Sequence, residues 1–342
     1  MHMTDALLSP AVGLTMAAAG VAAVAAAVAK VKKDELSEKK IPIMGVAGAM
    51  VFAAQMINFA IPATGSSGHI GGGILLAGLL GGFPAFLSIT AVLIIQCLFF
   101  ADGGLLALGC NIFNIGVIPC LVVYPLVFRP FLKKGIGYKR LSAASIASSV
   151  IALELGAFCV VLQTVLSGIA LFPFGAFAAL MLPIHLAIGL VEGAVTAAVL
   201  CFIYRMRPEI IDTAQSGERL GGVSTGKVVA ILAALAIVAG GALSLFASKN
   251  PDGLEWSIGR ALEQAPYEEN SLAAGGDSPD TSASARISTA FLPDYSFADD
   301  PDSAAGASAA GLIGAASAFA LAGATGFIIT RMKKRKRAVA DV

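Results

Sequence analysis

The chain opens Met1-His2, and a second histidine, His69, follows Gly65-Ser66-Ser67-Gly68. A free α-amine, the His2 backbone nitrogen and the His2 imidazole together make a tridentate chelate. One in-plane position is left for an imidazole from elsewhere in the chain. Four nitrogens in a plane suit Ni(II) or Cu(II) better than the tetrahedral preference of Zn(II). A histidine at position 3 would close such a square alone, whereas at position 2 it leaves the place that His69 can fill. The His2 backbone nitrogen must lose its proton, which a strongly binding d8 or d9 cation can drive. Met1, His2 and His69 are therefore the expected metal ligands. An ordinary exposed terminal histidine and a polar loop residue would look the same at this level. The glycines around His69 (Gly65, Gly68, Gly71, Gly72, Gly73) allow close approach of backbone to an ion, and equally to a packed helix.

What must position these groups is apolar. Of 342 residues, 57% are hydrophobic and 13% charged, with mean hydropathy +0.84. A soluble domain carries roughly 25% charged residues, so the chain is read as an all-α integral membrane protein. Its five cysteines (Cys97, Cys110, Cys120, Cys159, Cys201) all lie in apolar runs and read as packing residues rather than disulfides or zinc ligands. The N-terminus lacks the basic flank of a signal peptide, and a retained first residue is what the metal chelate requires.

A helix needs about 20 apolar residues to cross a bilayer. Seven such runs precede residue 205, at about 10–29, 42–62, 69–82, 84–101, 104–128, 142–170 and 180–204, and two follow near 226–247 and 306–330. The third and fourth are separated only by Gly81-Gly82-Phe83-Pro84, and charge decides whether they are one helix or two. The clusters Lys30–Lys40, Arg129–Arg140, Arg205–Arg219 and Arg331–Arg337 hold 19 of the 23 Lys and Arg. Positive loops face the cytoplasm, and all four clusters fall on one side only if 69–101 makes two crossings. That places the N-terminus and the His69 loop outside and the C-terminus in the cytoplasm. Two ligands nominated on chemistry thus share one face of the membrane.

Residues 248–305 differ in kind, with eleven Asp and Glu against three Lys and Arg. That composition predicts a partly disordered external loop. With its flanking helices it forms a second module (226–342), joined through a linker (211–225) to the first (1–210).

Other polar residues sit at membrane depth: Gln55, Asn58, Gln96, Asn111, Asn114, Glu154, Gln163, His185 and Glu192. Buried carboxylates there carry a functional expectation, while the amides read as helix–helix hydrogen bonds. A proton-coupled permease using Glu154, His185 and Glu192 is the rival transport reading. Ser67, Asp102 and Asn111 are expected around the metal ligands rather than on the ion. In the first run, Ala18, Ala22 and Ala26 recur every four residues, a spacing that lets another helix approach closely. Gly221-Gly222-Val223-Ser224-Thr225-Gly226-Lys227 mimics a phosphate loop, but Val228 stands where Ser or Thr must hold Mg2+. No ATPase site is expected, and no His-Glu-x-x-His pair suggests an enzyme. No nucleic-acid partner is expected.

Three motifs in order carry a resemblance. Met1-His2-Met3 with Asp5 and Leu7, Gly65-Ser66-Ser67-Gly68-His69, and Phe100-Ala101-Asp102-Gly103-Gly104-Leu105 with Leu108-Gly109 and Asn111 resemble the nickel/cobalt substrate-binding membrane component of energy-coupling-factor ABC transporters. Pro251-Asp252-Gly253-Leu254-Glu255-Trp256 looks like the small accessory component of the same systems, so the chain resembles a fusion of both. The resemblance implies a seven-helix binding component plus a two-helix accessory module in the cell membrane. It also implies Ni2+ as transported substrate (Co2+ second), held by Met1, His2 and His69. The implied partners are a transmembrane coupling protein and two cytoplasmic ATPase subunits. Gly-Ser-Ser-Gly-His and Ala-Asp-Gly-Gly are the forms that nickel members tend to show. Ile70-Gly71 after His69, and Cys110 in place of a small alanine, depart from the family pattern without removing a ligand.

Overall fold

A computed structural model describes residues 2–34, 38–169, 173–218, 220, 225–264, 290–297, 299–300 and 303–340. Met1 lies outside the described residues, as do 221–224 of the phosphate-loop mimic and 265–289 of the acidic segment. Every apolar run carries a helix. Six helices are long and apolar enough to cross a membrane: α1 (Pro10–Asp34), α4 (Gly82–Phe100), α5 (Leu108–Leu132), α6 (Tyr138–Ser167), α7 (Phe174–Met206) and α11 (Ala304–Ala340). Three apolar helices are shorter: α2 (Lys40–Gln55), α3 (Gly73–Leu80) and α9 (Gly226–Gly241). Among the described residues there are also two amphipathic helices, α8 (Pro208–Ser216) and α10 (Gly253–Gln264).

Several differences from the sequence reading have local causes. The run 42–62 is helical only to Gln55. Beyond it the chain forms a hairpin, β1 (Phe59–Ile61) against antiparallel β2 (Ser66–Gly68), with Ala60 opposite Ser67. Pro62 cannot continue a ladder, and Ala63 and Gly65 turn the chain at positive φ. The run 69–82 becomes the half-length α3, entirely buried. Gly81, at φ +85°, separates it from α4 as the turn signal required. An eight-residue helix rises only about 12 Å, so α3 is shielded by protein rather than lipid. In the acidic segment, α10 is ordered where a loop was expected, because Asp252 and Glu255 build a reciprocal N-terminal cap. Asp252 Oδ1 accepts from the N–H groups of Leu254 (2.8 Å) and Glu255 (2.9 Å), and Glu255 Oε2 accepts from the Asp252 N–H (3.2 Å).

Helices α6 and α7 form a closely packed pair, and α9 and α11 lie against α2. Small residues permit these contacts: a Cβ on Gly45 of α2 would lie 3.0 Å from the Phe319 carbonyl oxygen of α11, and Gly240 of α9 meets Gly311 of α11 backbone to backbone. Helix α5 is wound with the wider pitch of an i→i+5 helix over Ile112–Phe128, around Pro119 and Pro125. At one end of the bundle, two basic side chains and a tyrosine converge on α8. Lys40 Nζ donates to the Thr213 carbonyl (3.3 Å), Arg129 to Gln215 (2.7 Å), and the Tyr124 hydroxyl to Ala214 (2.9 Å). The C-terminal carbonyls of α8 are satisfied by these donors. The hairpin and amino terminus occupy the opposite end.

Candidate functional site

The amino-terminal segment is not a loose tail. Met3 is fully buried, in a cluster with Leu8, Cys110, Val160, Phe177, Met181 and Leu254. Asn111 holds its backbone at both polar atoms: Oδ1 accepts from the Met3 N–H (2.7 Å), and Nδ2 donates to the Met3 carbonyl (3.1 Å). Asp5 N–H donates to the Gly103 carbonyl (3.0 Å), and Asp5 Oδ1 accepts from the Ala107 N–H (2.8 Å). The bed for this segment is the turn Ala101–Gly104, which needs its glycines. Gly103 has φ +89°, and a Cβ there would lie 2.5 Å from Asn111 Nδ2 and 2.9 Å from the Met3 carbonyl oxygen.

So fixed, His2 (8% exposed) meets His69 with ring centroids 5.2 Å apart and planes at 19°. His2 Nδ1 lies 3.5 Å from Asp102 Oδ2 and His2 Nε2 lies 3.2 Å from Gln96 Oε1. His69 Nδ1 donates to the Ile70 carbonyl (3.0 Å), which leaves Nε2 as its lone-pair nitrogen. Burial pushes His69 down to about 3 and lowers His2 as well, so both rings are neutral, the form that ligates. Among the described residues, no group of three or more His, Cys, Asp or Glu side chains is arranged to hold a metal.

The rings open on a polar cavity of about 520 Å3, whose walls include Asp102, Asp252, Glu255 and Tyr295. Residues from 244 onward, among them Asp252, Glu255 and Tyr295, form part of those walls. Residues 250–252 run along β2: the Ser67 N–H donates to the Pro251 carbonyl (2.8 Å), and Ser67 Oγ to the Asn250 carbonyl (2.8 Å). Ser67 is thus engaged with the accessory segment rather than with either imidazole. Trp256 Nε1 donates to the Thr64 carbonyl (2.9 Å) at the hairpin turn. Tyr295 donates its hydroxyl to Asp102 Oδ2 (2.5 Å) and stacks on Phe100 (4.7 Å, 12°). Burial, then the charge of Asp102, raises the Tyr295 pKa and keeps that hydroxyl protonated. Asp294 and Tyr295 both hold positive φ (52° and 61°), a conformation uncommon for non-glycine residues and sustained here by these contacts.

Of the buried ionisable groups within helices, Glu192 joins the site indirectly. Its oxygens accept from the N–H groups of Gly71 (2.6 Å) and Gly72 (3.0 Å), which fixes the turn after His69. His185 Nδ1 donates to the Met181 carbonyl of its own helix (2.7 Å), and its Nε2 has no hydrogen-bond partner among the described residues. Among the described residues, no hydrogen bond links Glu154, His185 and Glu192. The roles of Glu192 in the glycine turn and of Tyr295 against Asp102 are not evident from sequence. Neither sits in a motif with His2 or His69, and only folding brings them there.

Comparison with known proteins agrees with this picture. Residues 2–210 match the family described as the cobalt uptake substrate-specific transmembrane region, and residues 226–331 match the PDGLE domain. A protein of Archaeoglobus fulgidus named as a fused nickel transport protein, NikMN, is 30% identical over 97% of this chain and 98% of its own length. A metal transport protein of Haloquadratum walsbyi is 36% identical over 62% of this chain and 94% of its own. The crystal structure of a truncated transition metal transporter superposes with TM-score 0.53 at 29% identity, covering 60% of this chain and 99% of that one. The chain is a multi-pass membrane protein and belongs to the cobalt uptake substrate-specific transmembrane family, with a PDGLE domain fused behind it.

Proposed function

We propose that this chain is the substrate-capture component of an energy-coupling-factor ABC importer for Ni2+, with Co2+ as the second candidate ion. The observation that carries the reading is the pairing of His2 with His69 beneath a buried amino-terminal segment. With Met1 as the first residue of the working protein, its amine, the His2 backbone nitrogen, one His2 ring nitrogen and one from His69 form the planar set. Capture occurs at the outer face, and release inward follows ATP hydrolysis by two cytoplasmic subunits, acting through a transmembrane coupling protein. The exposed stripe Ala18, Ala22 and Ala26 on α1, a helix with little of its surface buried, supports a docking face for that coupling protein. The accessory module closes the outer wall of the site through Ser67 and Tyr295.

Inserting one alanine between Met1 and His2 breaks the chelate ring without altering any side chain. Bound nickel in gently purified protein, read by elemental analysis, should fall to background, and His69→Ala should lower affinity at least tenfold. Undiminished nickel in both variants would refute the site. Growth with both ions present, followed by the same analysis, separates nickel from cobalt.

A further inference from the structure

One chain of hydrogen bonds leads from His2 into the bundle, and its direction is set by its far end. The Gly71 carbonyl can only accept, so Gln55 must present Nε2 to it (2.9 Å). Gln55 Oε1 then accepts from Gln96 Nε2 (2.8 Å). Gln96 is left with Oε1 toward His2 Nε2 (3.2 Å), and an amide oxygen can only accept. Beyond Gly71, the N–H of the same peptide unit, at Gly72, donates to Glu192 Oε1 (3.0 Å). Every donor therefore points the same way, from the imidazole to the carboxylate, an arrangement in which each bond polarises the next. All three side chains of the relay are buried: Gln55 at 5%, Gln96 at 1% and Glu192 at 2% exposed.

We propose that Gln96, oriented by Gln55, is a positioning residue that holds His2 in the tautomer protonated on Nε2, so that Nδ1 presents its lone pair to the ion. Nδ1 is the ring nitrogen that closes a six-membered chelate with the backbone nitrogen of the same residue. The opposite tautomer would place a proton where the metal must bind; Asp102 Oδ2, 3.5 Å from Nδ1, would favour it, but that oxygen already accepts from the Tyr295 hydroxyl (2.5 Å) and lies farther from the ring than Gln96 Oε1 does (3.2 Å). The same relay passes through Gly71, two residues beyond His69, so it sets the orientation of one ligand and the turn that carries the other. This proposal rests on the metal-site reading above and adds the means by which the protein selects the ligating nitrogen.

The test uses the full chain labelled with 15N-histidine, without metal. The His2 signals are identified by their loss in His2→Ala. The wild-type spectrum should show a protonated Nε2 and an unprotonated Nδ1 at His2. Gln96→Met, which keeps the volume and removes the acceptor, should convert His2 to a tautomer mixture and weaken nickel binding tenfold to a hundredfold. Gln55→Met, which does not touch the ring, should shift the tautomer ratio in the same direction by less. A wild-type proton on Nδ1, or a tautomer ratio that neither variant moves, would overturn the proposal. The spectrum is read without nickel, so it remains decisive if the metal assignment itself fails. The wild-type and Gln55→Met spectra keep the test intact if Gln96→Met does not fold.

Discussion

At the scale of single residues, the two imidazoles are held in place by groups that leave them little freedom. Glu192 is the clearest case. Its two oxygens are occupied by two backbone N–H groups, an arrangement a carboxylate can satisfy and an amide cannot. Glu192→Gln would turn an NH2 toward one of those donors and strand a buried N–H, costing about 1–3 kcal/mol. The expected outcome is a lower melting temperature in detergent and reduced nickel occupancy, because the turn after His69 loses its anchor. A proton-carrying Glu192 would behave otherwise, with the variant binding nickel normally and failing only in transport. Equilibrium nickel binding to purified Glu192→Gln separates the two.

Among the elements, α7 is the scaffold on which the site is assembled. Ile184, His185, Ile188 and Glu192 lie along one face at helical spacing. Each meets a different part: a Cβ on Gly68 of β2 would lie 2.5 Å from Ile188 Cγ1, and one on Gly253 of α10 would lie 2.8 Å from Ile184 Cγ2 and 3.1 Å from His185 Cε1. Gly253→Ala exploits this. Alanine is favoured over glycine within a helix by up to about 1 kcal/mol, so propensity alone predicts a gain. The packing predicts that α10 is pushed off α7 and that nickel affinity drops. Limited proteolysis within 250–264 should quicken in the variant, and slower cleavage would mean the contact is unimportant. The same elements show how far the sequence could be read. Apolar runs located the helices, and Gly81 marked the break between α3 and α4, because hydropathy and turn chemistry are local signals. The hairpin escaped because its strands are three residues long, and α10 escaped because acidic composition masked its cap. Chelate chemistry nominated His2 and His69 as a pair. The roles of Gln96, Glu192 and Tyr295 stayed hidden because each depends on a partner between 121 and 41 positions away or across the two modules.

The whole molecule has two ends of opposite character. One holds the imidazole pair in a cavity whose walls include acidic side chains, and at the other Lys40 and Arg129 close around α8. Half-length α3 lies between them, with the turn after His69 at its start and Gly81 facing the Ala214 carbonyl of α8 at its finish. The basic end is expected in the cytoplasm, where positive loops are retained, and the imidazole pair outside. Single cysteines at Lys134 and Asp300, both exposed and on the two opposite ends, test this in intact cells. A membrane-impermeant maleimide should label the residue-300 cysteine at once and the residue-134 cysteine only after permeabilisation. Background from the native thiols is small, since Cys97, Cys110 and Cys120 are buried and Cys159 and Cys201 half-buried. The reverse pattern would place the imidazole pair in the cytosol. The chain would then have to be an exporter or an intracellular metal sensor, and capture from outside would be untenable.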